Sequence, residues 1–165
     1  MRPPLHVVVR AARPEDAVAI RRVQERSIRE LGPTAYTPAE VESWAKGLRA
    51  EAYVKAMVSG SETMLVAEAN GRILGFGSLK PLEISAIYVD PDVARRGVGG
   101  AVLRRLEDLA RAQGRRSVRL TASLPGEPFY RAHGYREIGR RKHPTRGGIP
   151  IDAVVMEKDL SLYGR

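Results

Sequence analysis

The chain has 165 residues, a formal net charge of +9 and 43% apolar residues, enough for about one domain burying roughly 70% of its unfolded surface. It contains no cysteine, which excludes a disulfide framework and a thiolate metal site and fits a reducing, cytoplasmic setting. No segment approaches the length of a membrane span, and an aromatic content of 5% argues against a nucleic-acid surface, where basic residues interleave with exposed rings.

The elements follow one another without a linker, a repeat or a low-complexity tract, so residues 5–160 read as one domain. Leu5 to Arg10 has the pattern of a first strand; its apolar run is too short for a signal-peptide core. Pro14 suits the first turn of a helix, with Glu15 and Asp16 complementing the dipole. Ile20, Val23, Ile28 and Leu31 supply that helix's apolar side, and Gly32-Pro33 ends it. Thr37-Pro38-Ala39-Glu40 is a capping box with proline at the first helical position. Val41, Trp44, Ala45 and Leu48 line the inner face of the second helix, and a further helical piece covers Ala50 to Val58. Thr63 to Ala69 and Arg72 to Leu79 flank Asn70-Gly71, the signal of a type I′ hairpin. Leu82 to Val89 is the next strand.

Beyond it, Asp90-Pro91 marks a turn, and Arg95-Arg96-Gly97-Val98-Gly99-Gly100 opens a helix whose apolar positions are Val98, Val102, Leu106, Leu109 and Ala110. Gly97, Gly99 and Gly100 remove the Cβ atoms that would keep a diphosphate from the main chain, and they permit positive φ. The helix N-terminus adds unpaired N–H groups and a positive dipole end, and Arg95 and Arg96 bring charge toward the same oxygens. No Gly-Lys-Ser/Thr follows, so this is not a P-loop, and the glycine spacing is not the dinucleotide fingerprint. Ser117 to Ser123 then reads as a strand and Pro128 to His133 as a short helix stopped by Gly134. Tyr135 to Arg140 reads as another strand, residues 141–149 as a loop, and Ile151 to Lys158 as a last strand. The order β-α-α-β-β-β-α-β-α-β-β implies an α/β fold, a mixed sheet with helices on both faces.

Arg95-Arg96-Gly97-Val98-Gly99 after Ile87-Tyr88-Val89-Asp90-Pro91 resembles the acetyl-CoA signature of the GCN5-related N-acetyltransferase (GNAT) superfamily. That family's consensus has Gln or Arg where this chain has Ala94. Phe129-Tyr130-Arg131-Ala132-His133-Gly134-Tyr135 is similar to the family's segment whose tyrosine sits beside the coenzyme sulfur. The Asn-x-x-Ala pattern of many relatives is replaced by Leu124-Pro125-Gly126-Glu127. The resemblance implies transfer of an acetyl group from acetyl-CoA, a co-substrate, to a primary amine of a small molecule or protein. It also implies coenzyme contacts from the main chain of Ile87, Tyr88 and Val89, from Arg95 to Gly100 (Arg95, Arg96, Gly97, Val98, Gly99 and Gly100), and from Ser123. A bulge in the strand of Ile87 would leave that main chain free, and a homodimer is plausible by analogy. Other readings within the same resemblance are a different acyl donor or acceptor, or a non-catalytic coenzyme-A sensor.

The chemistry narrows the roles. A primary alkyl amine has a pKa of about 10.4, so a base matters most at pH 7. Glu83 is the candidate: it lies thirteen residues before Arg96, the offset at which some histone-modifying members carry their glutamate. The phenol of Tyr130, neutral at pH 7, is the candidate general acid for the leaving thiolate. Without cysteine, a cysteinyl acyl-enzyme is excluded, leaving direct attack in a ternary complex. His6, His133 and His143 have no ligand spacing, so no metal is expected. His133 reads as a cation at a helix C-terminus. The basic excess is mostly arginine, a coding preference that also makes a field for a polyanion such as coenzyme A. Arg115-Arg116 and Arg140-Arg141-Lys142 read as solvated faces. The acceptor side is assigned to the helices between Leu31 and Gly60 and to the loop 141–149, with a slight preference for an acidic acceptor over a polyamine.

Overall fold

A seven-stranded sheet in the order β1-β2-β3-β4-β5-β7-β6 organises the chain; the computed structural model describes residues 2–161. Its strands are β1 (Val8–Ala11), β2 (Thr63–Ala69), β3 (Arg72–Leu79), β4 (Glu83–Val89), β5 (Ser117–Ser123), β6 (Arg136–His143) and β7 (Ile151–Asp159). Every neighbouring pair is antiparallel except β4 and β5. The helices are α1 (Ala17–Leu31), α2 (Pro38–Ala45), α3 (Ala50–Ser59), α4 (Val98–Ala112) and α5 (Glu127–Ala132). One face of the sheet packs on α4 and α5, the other on α1, α2 and α3.

Local chemistry accounts for these elements. Asn70 and Gly71 take φ of 52° and 75°, the left-handed pair that a type I′ turn demands. The Thr37 hydroxyl accepts from the Glu40 N–H at 3.2 Å, and the Glu40 carboxylate accepts from the Thr37 N–H at 2.9 Å, completing the capping box. Pro14–Asp16 form a 3-10 turn ahead of α1. There the Asp16 carboxylate takes the Arg13 N–H at 2.8 Å and a bidentate Arg10 guanidinium at 2.8 and 3.0 Å. The α4 stripe Val98, Val102, Leu103, Leu106 and Ala110 is fully buried against the sheet. It comes this close because β3 carries Gly75 and Gly77 beneath it: a Cβ on Gly77 would stand 2.6 Å from Val102 Cγ1 and 2.8 Å from Leu106 Cδ1.

Several boundaries differ from the sequence pattern: α2 ends at Ala45, so Leu48 lies beyond it, and two others have a visible cause. Strand β1 starts at Val8, not Leu5, because the Leu5 N–H is spent on the Arg96 carbonyl at 2.8 Å. Strand β6 runs on to His143, because Arg141, Lys142 and His143 pair in register with Ala153, Asp152 and Ile151 of β7. A polar run has no alternation to announce it; here the partner strand imposes the extended form. Leu31, expected on the inner side of α1, is 45% exposed.

Candidate active site

The site forms where the sheet comes apart. Strands β4 and β5 pair only through Glu83 with Arg119 and Ile84 with Leu120, and from Ser85 onward they diverge. The β5-facing main-chain groups of residues 85–89 therefore have no strand partner among the described residues, although β4 stays paired with β3 as far as Val89. A bulge lies in the same place: Ser78 pairs with Ala86 and Leu79 with Ile84, so Ser85 is an extra residue. Across it the alternation changes phase. Ile84 joins the core on the α4 side, while Ala86 and Tyr88 pack on the α1 side. Glu83, opposite Ile84, thus turns to the same side as Tyr88, and both line a cavity of about 160 Å³.

That cavity is walled by the tilted ring of Trp44, 6.4 Å from Tyr88. Trp44 is held by neighbours on two sides. The Tyr36 ring meets it edge-on at 5.7 Å, while the Tyr36 hydroxyl donates to the Asp152 carbonyl at 2.6 Å and accepts from the Leu124 N–H at 2.9 Å. From the β6–β7 loop, Arg146 donates to the carbonyls of Trp44 and Lys46, and Ile149 N–H donates to the Ser43 hydroxyl at 2.9 Å. The loop is thereby tied across α2, and the two segments assigned to the acceptor side meet over one cavity. Arg141 and His143 of β6 complete its far wall.

On the other side of the split lies a groove of about 440 Å³, lined by Val89, Arg95, Gly97, Val98, Gly99 and Gly100 among others. Arg95 and Gly97 both have left-handed backbones, φ 61° and 87°, a conformation that turns successive N–H groups toward one anion. Gly97 is the N-cap of α4, so the amides of Val98, Gly99 and Gly100 have no intrahelical acceptor. A Cβ on Gly99 would meet the Phe129 ring at 3.1 Å, and one on Gly100 would meet His133 Nε2 at 3.0 Å and the Arg104 guanidinium at 3.2 Å. The bare main chain, the helix dipole and the cations Arg95 and Arg104 suit a diphosphate.

The cavity and the groove share Ile87, Tyr88, Gly126 and Tyr130. Tyr130 stands at their junction, buried, with no hydrogen-bond partner for its hydroxyl among the described residues. Burial pushes its phenol well above the ordinary value, so the O–H is retained at neutral pH. The same cause raises Tyr88.

The structure brings most of the expected site residues together and separates two. Glu83, Ile87, Tyr88 and Tyr130 line the smaller cavity; Ile87, Tyr88, Val89, Arg95, Gly97, Val98, Gly99, Gly100 and Tyr130 line the groove. Arg96 turns away, its Nε donating to the Pro3 carbonyl at 3.0 Å. Ser123 lies on the small-cavity side, where its hydroxyl accepts from the Gly126 N–H at 3.2 Å. Leu82, next to Glu83, is 85% exposed and supplies no apolar wall. Arg104 and His133 join the groove without having been singled out for it, and Arg141 and His143 join the cavity from the segment assigned to the acceptor side. For Arg104 the signal was available: it lies one helical turn beyond Gly100. His133 hydrogen-bonds the Phe129 carbonyl through Nδ1 at 2.8 Å, leaving Nε2 toward the groove. His143 is held below the usual imidazole range, first by burial and then by Arg141, against the pull of Glu83. The described residues contain no cluster of acidic, histidine or cysteine side chains suited to a metal ion, and no helix is long and apolar enough to cross a membrane.

A mixed sheet split between parallel central strands, with a glycine-lined helix N-terminus at the mouth of the split, defines the acyl-CoA N-acyltransferase class of fold. The family model described as "Acetyltransferase (GNAT) domain" matches residues 33–160, and the chain belongs to that family. A crystal structure described as the GCN5-related N-acetyltransferase "Aminotransferase, Class-II" from Rhodopseudomonas palustris superposes with a TM-score of 0.88 at 31% identity, covering 97% of this chain and 99% of that one. A curated relative, the uncharacterized N-acetyltransferase YafP of Escherichia coli K12, is 25% identical over 142 residues, 86% of this chain and 89% of its own length. The PaiA N-acetyltransferase of Thermoplasma acidophilum, solved in complex with coenzyme A, shares the fold with a TM-score of 0.74 at 21% identity, covering 94% of this chain and 99% of its own.

Proposed function

We propose that the protein transfers the acetyl group of acetyl-CoA directly to a primary amine held in the smaller cavity. The groove beside α4 takes the diphosphate on the amides of residues 98–100 and on Arg95 and Arg104. The opening between β4 and β5 takes the pantetheine arm, whose amides find the free main-chain groups of Ile87, Tyr88 and Val89. That arrangement aims the thioester through the split toward Glu83.

Among the described residues Glu83 is the only carboxylate lining the smaller cavity, and it accepts the proton that the ammonium form of the acceptor must lose. The amine then attacks the thioester carbon, and the C–S bond breaks as the new C–N bond forms. The leaving sulfur takes its proton from the Tyr130 hydroxyl, and the second proton shed by the nitrogen as the amide forms restores that phenol by way of solvent. The observation that carries this reading is the position of Tyr130: a buried residue lining both the groove and the cavity, its hydroxyl without a hydrogen-bond partner among the described residues. The coenzyme-A complex of PaiA supports the choice of donor.

Two measurements test it together. Titration calorimetry with acetyl-CoA at low salt gives saturable binding, and free-thiol release is followed over a panel of amines. Tyr130→Phe keeps coenzyme affinity within a few-fold and lowers kcat by about 10²–10⁴, the range of a lost general acid. Glu83→Gln lowers kcat at neutral pH and recovers part of it as pH rises toward the pKa of the amine. Absence of acetyl-CoA binding refutes the whole reading; undiminished turnover by Tyr130→Phe removes the acid.

A further inference from the structure

The run Arg140-Arg141-Lys142 is not one uniform basic face. Strand β6 alternates, and its outer residues are both spent. Arg140 pairs with Glu137 at 3.2 Å and Lys142 with Asp152 at 2.7 Å. Arg141 lies between them on the opposite side, in register with Ala153 and lining the smaller cavity. Among the described residues it makes no hydrogen bond or ion pair. The other guanidinium groups nearby are engaged. Arg119 and Arg136 both hold Glu157, at 2.8 and 3.0 Å, and Arg146 is committed to the carbonyls of Lys46 and Trp44.

A free guanidinium and, among the described residues, a single carboxylate in the lining of one small cavity make a bipolar site. We infer that the acceptor is a small amine that also carries a carboxylate, its carboxylate held by the Arg141 fork and its amino group by Glu83. The inference rests on the acetyl-transfer reading of the same site and specifies its substrate class.

Three observations favour this ligand. The planar fork of arginine matches a carboxylate through two parallel hydrogen bonds, which a lysine would not offer. His143 beside it is held toward its neutral form, first by burial and then by Arg141 itself, which leaves Arg141 as the cation of the cavity lining. Size agrees: the cavity, about 160 Å³ and open to solvent, has room for a small amino acid. A polyamine would set a second cation against Arg141. A phosphomonoester, with nearly two charges, asks for more cationic partners than this one free group.

The test uses the full-length protein saturated with coenzyme A, titrated with α-amino acids, β-alanine, their carboxamides, and phosphoethanolamine. Binding is read by calorimetry and thermal shift, and turnover by thiol release from acetyl-CoA. A hydrogen-bonded charge is worth about 1.5–3 kcal/mol, so at least one carboxylate binds about 10- to 100-fold more tightly than its carboxamide. Arg141→Gln brings that ratio close to one, and Arg141→Lys restores part of it. A merely structural role for Arg141 would change both ligands together and leave the ratio intact. Equal affinity for carboxylates and carboxamides, a ratio untouched by Arg141→Gln, or tighter Arg141-dependent binding of phosphoethanolamine overturns the inference. Selective carboxylate binding without thiol release upholds the subsite and refutes acetyl transfer; turnover of carboxamides alone does the reverse.

Discussion

Gly97 offers a clean probe of the phosphate cradle. It caps α4 at φ 87°, and an added Cβ would have no heavy atom within 4 Å. Gly97→Ala therefore introduces backbone strain without a clash inside the protein. The left-handed conformation costs a non-glycine residue about 1–2 kcal/mol. Gly114, past the other end of α4 at φ 80° and equally free of neighbours, carries the same penalty far from the groove. For a chain of this length each kcal/mol lowers Tm by about 2–4 °C, so both variants should melt about 2–8 °C below the parent in scanning fluorimetry. Their coenzyme binding should differ. Gly97 lines the groove, and relief of strain at that position turns the first amides of α4 away from the proposed anion. One lost hydrogen bond to a charged group is worth about 1.5–3 kcal/mol, which weakens coenzyme A binding about 10- to 100-fold by calorimetry. Gly114→Ala should bind as the parent does. If both variants lose Tm alike and both bind coenzyme A within twofold of the parent, the cradle does not depend on this backbone and the reasoning fails.

Two further predictions concern the frame of the site. Gly77→Ala drives a methyl to within 2.6 Å of Val102 and 2.8 Å of Leu106; overpacking of this kind costs about 1–3 kcal/mol, whereas Gly139→Ala, with open space around it, should leave Tm within error. Equal melting of the two would show that α4 has slack on the sheet. Asp16 gives a pH signature. Hydrogen bonds from Arg10, opposed by burial, hold its carboxyl below the ordinary carboxylate value, so the unfolded chain takes up the proton first as pH falls. The stability it contributes is full above about pH 5, falls as pH drops through the ordinary value of about 3.9 and is lost below the depressed folded one. Asp16→Asn should flatten that part of the Tm–pH curve while lowering Tm at neutral pH; an unchanged slope rules out the Arg10–Asp16 pair as its source.

What the sequence made legible was whatever depends on neighbours along the chain. Asn70-Gly71 specifies its turn because two left-handed residues in a row admit little else, and Thr37 with Glu40 marks a helix start because cap and carboxylate lie one turn apart. The same holds for the stripe of α4 and for the glycines at its head. What remained hidden depends on partners distant in sequence. The direction of Arg96 follows from Pro3, and the extension of β6 from β7. The unspent state of Arg141 emerges only when Glu137 and Asp152 are seen taking Arg140 and Lys142. A basic triplet looks uniform until the strand's alternation divides it.

The bulge at Ser85 is the clearest case, because it decides which side Glu83 serves. In an unbroken strand Glu83 would share a face with Ile87, which packs on the α4 side. With Ser85 inserted, Glu83 comes to lie with Ala86 and Tyr88 instead, facing Trp44 and β6. The resemblance implied a bulge in this strand, but nothing in Glu83-Ile84-Ser85-Ala86 itself places it: there is no glycine, no proline and no change of alternation strong enough to read. Yet the same offset coincides with the last pairing of β4 to β5. One irregularity thus both opens the sheet toward the groove and swings the carboxylate across to the cavity beyond it. On the proposed reading, base and coenzyme therefore approach the split from opposite faces of the sheet. Among the described residues, Tyr130 is the ionisable side chain of the α4 side that lines both the cavity and the groove, which is why the proposed acid is sought there.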